Sequence, residues 1–462
     1  MRLSQSAWKR HLLVIGLYSL LALTLTYPLA LHFTTHVPGD GGDDPALTWN
    51  LWWVKYALLD RGTNPFHCDL MFHPIGVNLA FYTLTVLNAL LSVPLQGSVG
   101  LVAASNVVLL SSFVLGGYGT FLLVTHLLSG KKYPLSIPYA PFMAGLVYAF
   151  SSSKLFYASL GQFNIASSQW IPFCVLFLLK MQQRPERLRY PLLAALFLLF
   201  QAWAEMTYAS FLLVFIVVLA AYELVRNPGK TQWPESGNPG QAGTIQAQRG
   251  SPDPRSCSLF FLRDLILMGL LFAAGLTPLL SAMIPDLLAE GDFFVQGSGF
   301  AEVFSADLIG FLVPTQLHPW LGSLVEGFAF PHDKGQHLFL GYTVLALALW
   351  AIVRLRRDAA VRFWAIAAGI FFLLCLGPSL RVNGADIGLP LPFLLMQRLP
   401  FFKGNRYPSR YSVLLVLSLA VLAGHAVFWI LNRVPSKPRV LRFTFYVLLL
   451  APLSFEHLSI PL

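Results

Sequence analysis

The sequence predicts an all-α protein that crosses a membrane many times, and two observations carry this prediction. The chain has 462 residues, of which 56% are hydrophobic and 11% charged, whereas a soluble domain is typically about 25% charged. Its apolar residues also fall into blocks of about 15 to 28 residues, and about 20 apolar residues in a helix cross a bilayer core of about 30 Å. The lipid bilayer is therefore the first expected partner.

The first predicted element is a membrane helix at the N-terminus. Arg2, Lys9 and Arg10 precede an apolar run over 11–31, which is longer than the core of a signal peptide. Basic residues beside a membrane helix favour the cytoplasmic side. We therefore expect a retained first helix with its N-terminus in the cytoplasm. The net charge of +10 is likewise explained by basic residues at the ends of membrane helices. It is therefore not a sign of nucleic-acid binding.

Eleven further apolar segments follow the first helix, and we expect about 11 membrane segments with about 10 crossings. They lie near 79–97, 101–128, 138–152, 163–180, 190–205, 207–225, 259–283, 336–353, 361–380, 410–431 and 441–456.

Charge at the junctions between these segments predicts the topology. The basic junctions at 180–189, 226–263, 354–362 and 433–442 are expected in the cytoplasm. The polar stretch 34–78 follows the first helix and is expected outside. Four apolar segments separate it from 180–189, so one of them must fail to cross. The run 79–97, interrupted by Pro94, is the expected re-entrant or interfacial piece.

A polar linker divides the chain. Residues 227–256 contain five Gly and five Pro, with few apolar residues and no periodicity, which is typical of a disordered segment. We expect an N-terminal membrane module, 1–226, with the external loop 34–78. The C-terminal module, 257–462, would carry the external loops 284–335 and 381–410.

The external loop 34–78 carries an unusual acidic turn. Asp40, Asp43 and Asp44 lie among glycines, and Asp44 before Pro45 predicts a helix N-cap followed by proline at the first helical position. Capping needs one carboxylate, so the others suit a general base, a metal ligand or a sugar-hydroxyl acceptor; a merely solvated turn is the alternative. Aromatic residues then recur at helical spacing, which predicts a juxtamembrane helix in the membrane interface: Trp49, Trp52, Trp53 and Tyr56.

The external stretch 381–410 is basic, against the expected orientation signal. Arg398, Lys403, Arg406 and Arg410 are its candidate phosphate ligands, because guanidinium groups form paired hydrogen bonds with phosphate. Arg406 and Arg410 flank Pro408 at the start of an apolar segment, where a lipid phosphate would lie. The alternative is that one loop departs from the charge rule and Arg410 reaches only to headgroups.

Other polar residues are weaker candidates. Glu205 and Gln162 are expected near the outer face and could line a substrate cavity, although a turn residue and an interhelical contact explain them as well. His318 is a further cavity candidate. A divalent metal could bind at His332, Asp333 and His337, but their spacing matches no strong template. The metal requirement and any other cofactor stay open.

The acidic turn and the helix after it resemble a motif of a known protein superfamily. An Asp-Asp pair that opens an aromatic juxtamembrane helix after the first membrane helix resembles the GT-C superfamily of membrane glycosyltransferases, in particular the bacterial transferases of lipopolysaccharide sugars and aminoarabinose and the protein mannosyltransferases. Further stretches are similar to an uncharacterised bacterial group of that type: 64–66, 73–76, 144–155, 305–322, 339–349 and 399–411. The resemblance implies that Asp43 is the catalytic base. Gly39-Asp40 resembles a motif of the uncharacterised group, which leaves the choice between Asp40 and Asp43 open.

The resemblance also implies an activity and a location. The expected function is inverting transfer of a sugar from a polyprenyl-phosphate-type donor to an extracytoplasmic glycan, lipid or protein acceptor, in the bacterial inner membrane. A non-catalytic carrier or flippase for lipid-linked glycans is the alternative, and an assembly scaffold is a third. The carrier would use the basic stretch without needing Asp40 or Asp43, and the scaffold would need neither cluster.

Overall fold

The computed structural model describes residues 5–129, 139–184, 186–226, 254–291, 300–332, 335–399, 402, 404–433 and 439–460. Its architecture confirms the predicted all-α class and the prediction of an integral membrane protein. The helices are α1 Gln5–Leu25, α2 Asp44–Lys55, α3 Val86–Val99, α4 Leu101–Leu128, α5 Tyr139–Ala149, α6 Ser152–Ser159, α7 Phe163–Ala166, α8 Trp170–Gln183, α9 Arg189–Ala204, α10 Met206–Arg226, α11 Pro254–Gly275, α12 Thr277–Glu290, α13 Phe300–Val303, α14 Tyr342–Arg354, α15 Ala359–Cys375, α16 Phe393–Met396, α17 Ser412–Arg433 and α18 Arg439–Glu456.

Long apolar helices are fewer than the predicted segments. Among the described residues, four helices are long and apolar enough to cross a membrane: Leu101–Leu128, Phe163–Gln183, Met206–Arg226 and Pro408–Arg433. A bent pair, Phe260–Gly275 with Thr277–Glu290, gives a fifth. Five shorter apolar helices accompany them. The difference arises mainly because these five predicted segments form helices of only 10–17 residues, and because others are broken into two helices.

The predicted segment 259–283 is one of these broken segments. The chain bends by 67° between α11 and α12, where Pro278 lies in the first turn of α12. Proline has no backbone N–H and its ring clashes with the carbonyl of the preceding turn, so a straight helix cannot continue through it.

The segment predicted not to cross, 79–97, contains α3. Its 14 residues correspond to about 21 Å of helix, which is shorter than a bilayer core of about 30 Å. The Gln96 side chain donates to the Leu51 carbonyl of α2 at 2.8 Å, and α4 follows directly after Gly100. The helix therefore packs along α2, as a re-entrant or interfacial piece would.

Contacts between distant elements define two ends of the helical bundle. At one end, which we call the acidic-turn end, Asn78 contacts Asp286 at 2.8 Å and Glu456 accepts from the Thr343 backbone N–H at 2.9 Å. At the other, the basic-junction end, Tyr222 of α10 donates to the Ala359 carbonyl of α15 at 3.1 Å. The junctions predicted to be cytoplasmic at 180–189 and 354–362 connect helices at this second end.

The two predicted modules pack into one core. Trp203 donates to the Gly275 carbonyl at 3.2 Å, and the rings of Phe211 and Tyr411 stack with centroids 3.7 Å apart. The predicted linker falls mostly on 227–253, which lie outside the described residues. Its last three positions, 254–256, belong to α11 instead.

Two short antiparallel hairpins lie at the acidic-turn end. Strands β1 His67–Cys68 and β2 Val77–Asn78 form one, and β3 Ser379–Val382 and β4 Ala385–Pro390 form the other. The buried carboxylate of Asp307 accepts from the backbone N–H groups of Asn383 at 3.0 Å and Gly384 at 2.8 Å. This places the β3–β4 turn against the stretch that follows α13.

Candidate functional site

The acidic turn begins α2, but not with the predicted cap. Helix α2 starts at Asp44, so Asp43 occupies the N-cap position, and Asp43 makes no capping hydrogen bond. Asp44 instead accepts from the Gly41 backbone N–H at 2.9 Å, and Asp40 accepts from that of Gly42 at 3.0 Å. The N-cap prediction for Asp44 is therefore wrong by one residue, since its carboxylate folds back onto the turn that precedes the helix.

Close backbone contact fixes this turn against the chain after α6. A Cβ atom at Gly161 would lie 2.2 Å from the Pro38 carbonyl oxygen and 2.5 Å from the Asp44 Cβ. Gly161 also has a φ of +66°, in the left-handed region where only glycine is unstrained. Both features require glycine at 161. The close approach of Gly161 to Pro38 and Asp44 places the acidic turn next to Gln162.

Asp43 is consequently the carboxylate that points toward the rest of the molecule. Its Oδ2 accepts from the Gln162 side-chain Nε2 at 2.6 Å, across 119 positions of sequence. Tyr82 is also near: burial raises the pKa of its hydroxyl, and the negative charge of Asp43 raises it further. Asp43 itself is exposed, so its carboxylate is both oriented by the protein and accessible.

Two residues after Gln162, a second pair of polar side chains lies in the interior. Asn164 donates through Nδ2 to Glu205 Oε2 at 3.1 Å, and both side chains are buried. Glu205 lies at the break between α9 and α10 and also accepts from the Thr207 backbone N–H at 3.4 Å. An ionised carboxylate in such a place needs partners, and these two amides supply them.

The next charge beyond Glu205 is Arg410. The Glu205 carboxylate acts electrostatically on the Arg410 guanidinium, as do the neighbouring Tyr157 and Tyr208. Arg410 stacks over the Tyr407 ring at 3.7 Å and lies 5.6 Å from the centre of the Tyr157 ring. The Gln162–Asp43 and Asn164–Glu205 hydrogen bonds and the Arg410 guanidinium thus lie in one polar region. We call these five residues the Asp43–Arg410 cluster; among the described residues no ion pair joins Glu205 to Arg410.

Several buried polar atoms in this cluster and in the neighbouring Tyr157 make no hydrogen bond to the described residues. They are Gln162 Oε1, Asn164 Oδ1, Tyr157 OH and Arg410 Nε. Buried polar groups are nearly always hydrogen-bonded to protein, water or ligand. The arrangement can therefore accept further hydrogen-bonding groups beside an oriented carboxylate and a guanidinium.

The other basic candidates lie apart from the cluster core. Arg406 is exposed and its guanidinium lies over the Phe300 ring, 5.1 Å from its centre. Arg398 is also exposed, two residues after the end of α16. Lys403 lies outside the described residues. Among those of the four that the structure describes, Arg410 is the one on which the Glu205 carboxylate acts electrostatically.

His318 is engaged elsewhere. Its Nε2 contacts the Phe455 carbonyl at 2.8 Å, and its Nδ1 accepts from the backbone N–H groups of Trp320 and Leu321. Nε2 thus holds the loop against α18, whereas Nδ1 stabilises the loop itself. The structure therefore gives His318 a packing role, and none of these hydrogen bonds involves a residue of the Asp43–Arg410 cluster.

Metal ligands are not assembled in the described part of the chain. No group of three or more His, Cys, Asp or Glu side chains converges there, and Asp40 and Asp44 each bond to the backbone of their own turn. His337 contacts the Val313 carbonyl at 2.6 Å, and burial lowers its pKa to about 4. Asp333 lies outside the described residues. We derive no chemical step through a metal.

The predicted aromatic face of α2 is only partly at the surface. Trp53 is fully buried, donates to the Pro65 carbonyl at 2.9 Å and stacks with Trp49 at 5.5 Å. Trp52 stacks with Tyr56 at 4.9 Å. Helical spacing predicted one shared face correctly, but it could not show that Trp53 packs inside the protein while the other three rings are half-buried.

Sequence reasoning missed the tyrosines around Arg410. Tyr157 and Tyr208 come from α6 and α10, and nothing in their local sequence distinguishes them from packing residues. A signal was present nearby: Lys154 is a charged residue within an apolar segment, and such residues are functional candidates by default. Tyr157 follows it by three positions, which places both on one helix face.

Comparison with known proteins gives structural similarity but no assignment of family. The chain is similar to the archaeal oligosaccharyltransferase AglB from Archaeoglobus fulgidus, whose structure was solved in complex with an inhibitory peptide and a dolichol-phosphate. The TM-score is 0.48 and the sequence identity 15%, over 98% of this chain and 55% of that one. This chain thus spans about half the length of AglB. No family model matches the chain, and no curated protein matches it.

Proposed function

We propose that this protein is a membrane glycosyltransferase of the GT-C type. It transfers a sugar from a polyprenyl-phosphate-type lipid donor to an extracytoplasmic glycan, lipid or protein acceptor. The observation that carries the proposal is the Asp43–Arg410 cluster: an oriented, accessible carboxylate and a guanidinium lie in one polar region of an apolar membrane protein.

Asp43 is the proposed general base. One carboxylate oxygen is held by Gln162, and the side chain is exposed, so the other oxygen can take the proton from an acceptor hydroxyl. That hydroxyl attacks the anomeric carbon, the bond from this carbon to the phosphate oxygen breaks, and the electron pair leaves with the phosphate. A single displacement of this kind inverts the anomeric configuration. Asp40 remains the second choice because its carboxylate is also exposed.

Arg410 is the proposed ligand of the donor phosphate. Its guanidinium can form two parallel hydrogen bonds with phosphate oxygens and can stabilise the negative charge that develops on them. Tyr407 fixes the plane of the guanidinium by stacking. Arg398, Lys403 and Arg406 would add positive potential that attracts the anionic donor. Glu205 and Gln162 are proposed positioning residues, because each contacts or acts on a group that would meet the substrate.

The proposed location is the bacterial inner membrane, with the acidic-turn end outside and the N-terminus in the cytoplasm. Nucleotide sugars are made in the cytoplasm, so a site at the outer face needs a sugar that a lipid has carried across. A polyprenyl-phosphate donor meets this requirement.

The test uses lipid-linked sugars extracted from membranes of the cells that make the protein. Purified protein in nanodiscs is incubated with this extract and with envelope acceptor, and free polyprenyl phosphate is measured by mass spectrometry. The proposal expects release by the wild type and loss of at least about 10² of the rate in Asp43→Asn. Intact lipid-linked sugar that merely exchanges between leaflets would replace the proposal with the carrier.

A further inference from the structure

A buried lysine behind the cluster has no role in the proposed transfer. Lys154 of α6 is 6% exposed, and its Nζ donates to the Ser112 carbonyl of α4 at 2.9 Å and to Ser168 Oγ at 3.4 Å. Ser112 lies near the middle of the 28-residue helix α4. A charged side chain at such a depth is costly unless something offsets it.

No acid offsets this charge in the described part of the chain. No carboxylate oxygen of a described residue lies within 4 Å of Lys154, since no ion pair joins it, and its other close partner is the face of the Phe113 ring at 5.0 Å. A neutral carbonyl, a hydroxyl and a ring stabilise an ammonium group only in part. A protonated Lys154 therefore has no counter-charge among the described residues.

Lys154 lines a cavity of about 20 Å³ whose other polar groups are hydroxyls. Tyr148 and Tyr208 also line it, but each donates to a backbone carbonyl, of Ser168 and Ile165 respectively. Four hydroxyls remain that make no side-chain hydrogen bond among the described residues: Ser151, Ser153, Tyr157 and Ser412. The cavity thus offers one ammonium and several O–H donors, without a carboxylate.

We propose that this cavity binds one small monovalent anion, with chloride as the physiological ligand. Ammonium and hydroxyl groups are both hydrogen-bond donors, and an anion among them balances the charge of Lys154. A cavity needs about 10 to 15 Å³ to hold one water-sized sphere, so the observed volume of about 20 Å³ has room for a halide.

The site would act on the Asp43–Arg410 cluster through Tyr157. The Tyr157 hydroxyl lines the cavity, and its ring lies beside the Arg410 guanidinium. An anion that accepts from this hydroxyl would hold the ring in place against Arg410. The anion site itself does not depend on the proposed transfer reaction, so its failure and the failure of the transfer can be told apart.

The direct test is binding of ³⁶Cl⁻ to the purified wild-type protein in detergent, with gluconate replacing chloride at constant ionic strength. We expect saturable binding of one chloride per chain, displaced by bromide, and a halide-dependent rise in melting temperature. Absence of saturable binding would overturn the proposal. Displacement of the chloride by a polyprenyl phosphate would also overturn it, by assigning the cavity to the donor.

Two variants assign the site to its residues. Lys154→Met keeps the length and apolar stem of the side chain, and we expect its halide affinity to fall at least tenfold. Lys180→Met is the matched control, because Lys180 also packs over an aromatic ring, Phe177, at the basic-junction end; its halide affinity should be unchanged. Ser412→Ala removes one hydrogen-bond donor and replaces Lys154→Met as the test variant if that variant does not fold. We expect its halide affinity to fall about threefold. Wild-type affinity in both cavity variants contradicts the assignment.

Discussion

At the scale of single residues, the three aspartates of the acidic turn have different environments. Asp40 and Asp44 bond to backbone N–H groups of the turn itself, which is a common way to stabilise a turn. Asp43 is held by a side chain from a distant segment. The sequence could not separate them, because three carboxylates within five positions look alike until the fold orients each one.

The first prediction compares these aspartates. Asp43→Asn keeps the side-chain volume and removes the ability to take a proton, so we expect transfer to fall by about 10² to 10⁴. Asp40→Asn and Asp44→Asn should keep most of the activity, since their carboxylates serve the turn. Rates of polyprenyl phosphate release measure all three, with expression and melting temperature as controls. Full activity in Asp43→Asn with loss in Asp40→Asn would transfer the base role to Asp40.

The second prediction concerns Arg410. Lysine keeps the charge but loses the planar fork and the stacking on Tyr407, so Arg410→Lys should raise the donor concentration needed for half-maximal rate by about tenfold or more. Arg406→Lys is the matched control. Its guanidinium is exposed over Phe300, so donor saturation should change little. Unchanged donor saturation in Arg410→Lys would remove Arg410 from the phosphate site.

At the scale of elements, local sequence signals predicted positions well and contacts poorly. Proline after Asp44 marked the start of α2 to within one residue, and the short run 79–97 proved to be a helix of 14 residues. Hydrophobic periodicity is a local property. The bond between Gln162 and Asp43 depends on how α6 and α7 pack against the first loop, which no local pattern encodes.

The third prediction tests this packing at Gly161. Gly161→Ala adds a Cβ that collides with the acidic turn at a left-handed φ, so we expect a cost of about 2 to 4 kcal/mol and displacement of Asp43 from Gln162. Gly41→Ala is the control, because Gly41 also has a positive φ, of +82°, but has open space around it. It should cost about 1 kcal/mol.

Melting temperature and transfer rate, measured for both glycine variants, test this prediction. The collision predicts a larger loss in both for Gly161→Ala than for Gly41→Ala. Equal effects would mean that backbone strain alone matters and that the contact between Gly161 and the turn does not position Asp43.

At the scale of the whole molecule, charge distribution predicted which ends of the helices share a side. The basic junctions 180–189 and 354–362 connect helices at one end, while the acidic turn, Glu205 and Arg410 meet at the other. The number of crossings could not be predicted equally well, because apolar segments of similar length form straight, bent or broken helices depending on proline and packing.

The fourth prediction is the orientation of the molecule. The described native cysteines, Cys68, Cys174 and Cys375, are buried, so new cysteines are needed at exposed positions. In a Cys257→Ser background, Ile387→Cys lies in β4 at the acidic-turn end, and Glu186→Cys lies in a basic junction. A membrane-impermeant maleimide applied to intact cells should label the first and not the second. The reverse pattern would place the Asp43–Arg410 cluster in the cytoplasm.

The central claim is that Asp43 and Arg410 act on one lipid-linked donor. The most direct measurement is the structure of the protein in nanodiscs with a polyprenyl phosphate bound. Our account predicts that the phosphate contacts the Arg410 guanidinium and that the leaving oxygen faces the Asp43 carboxylate across the polar group formed with Gln162 and Glu205. A phosphate bound away from Arg410, with Asp43 facing only solvent, would contradict it.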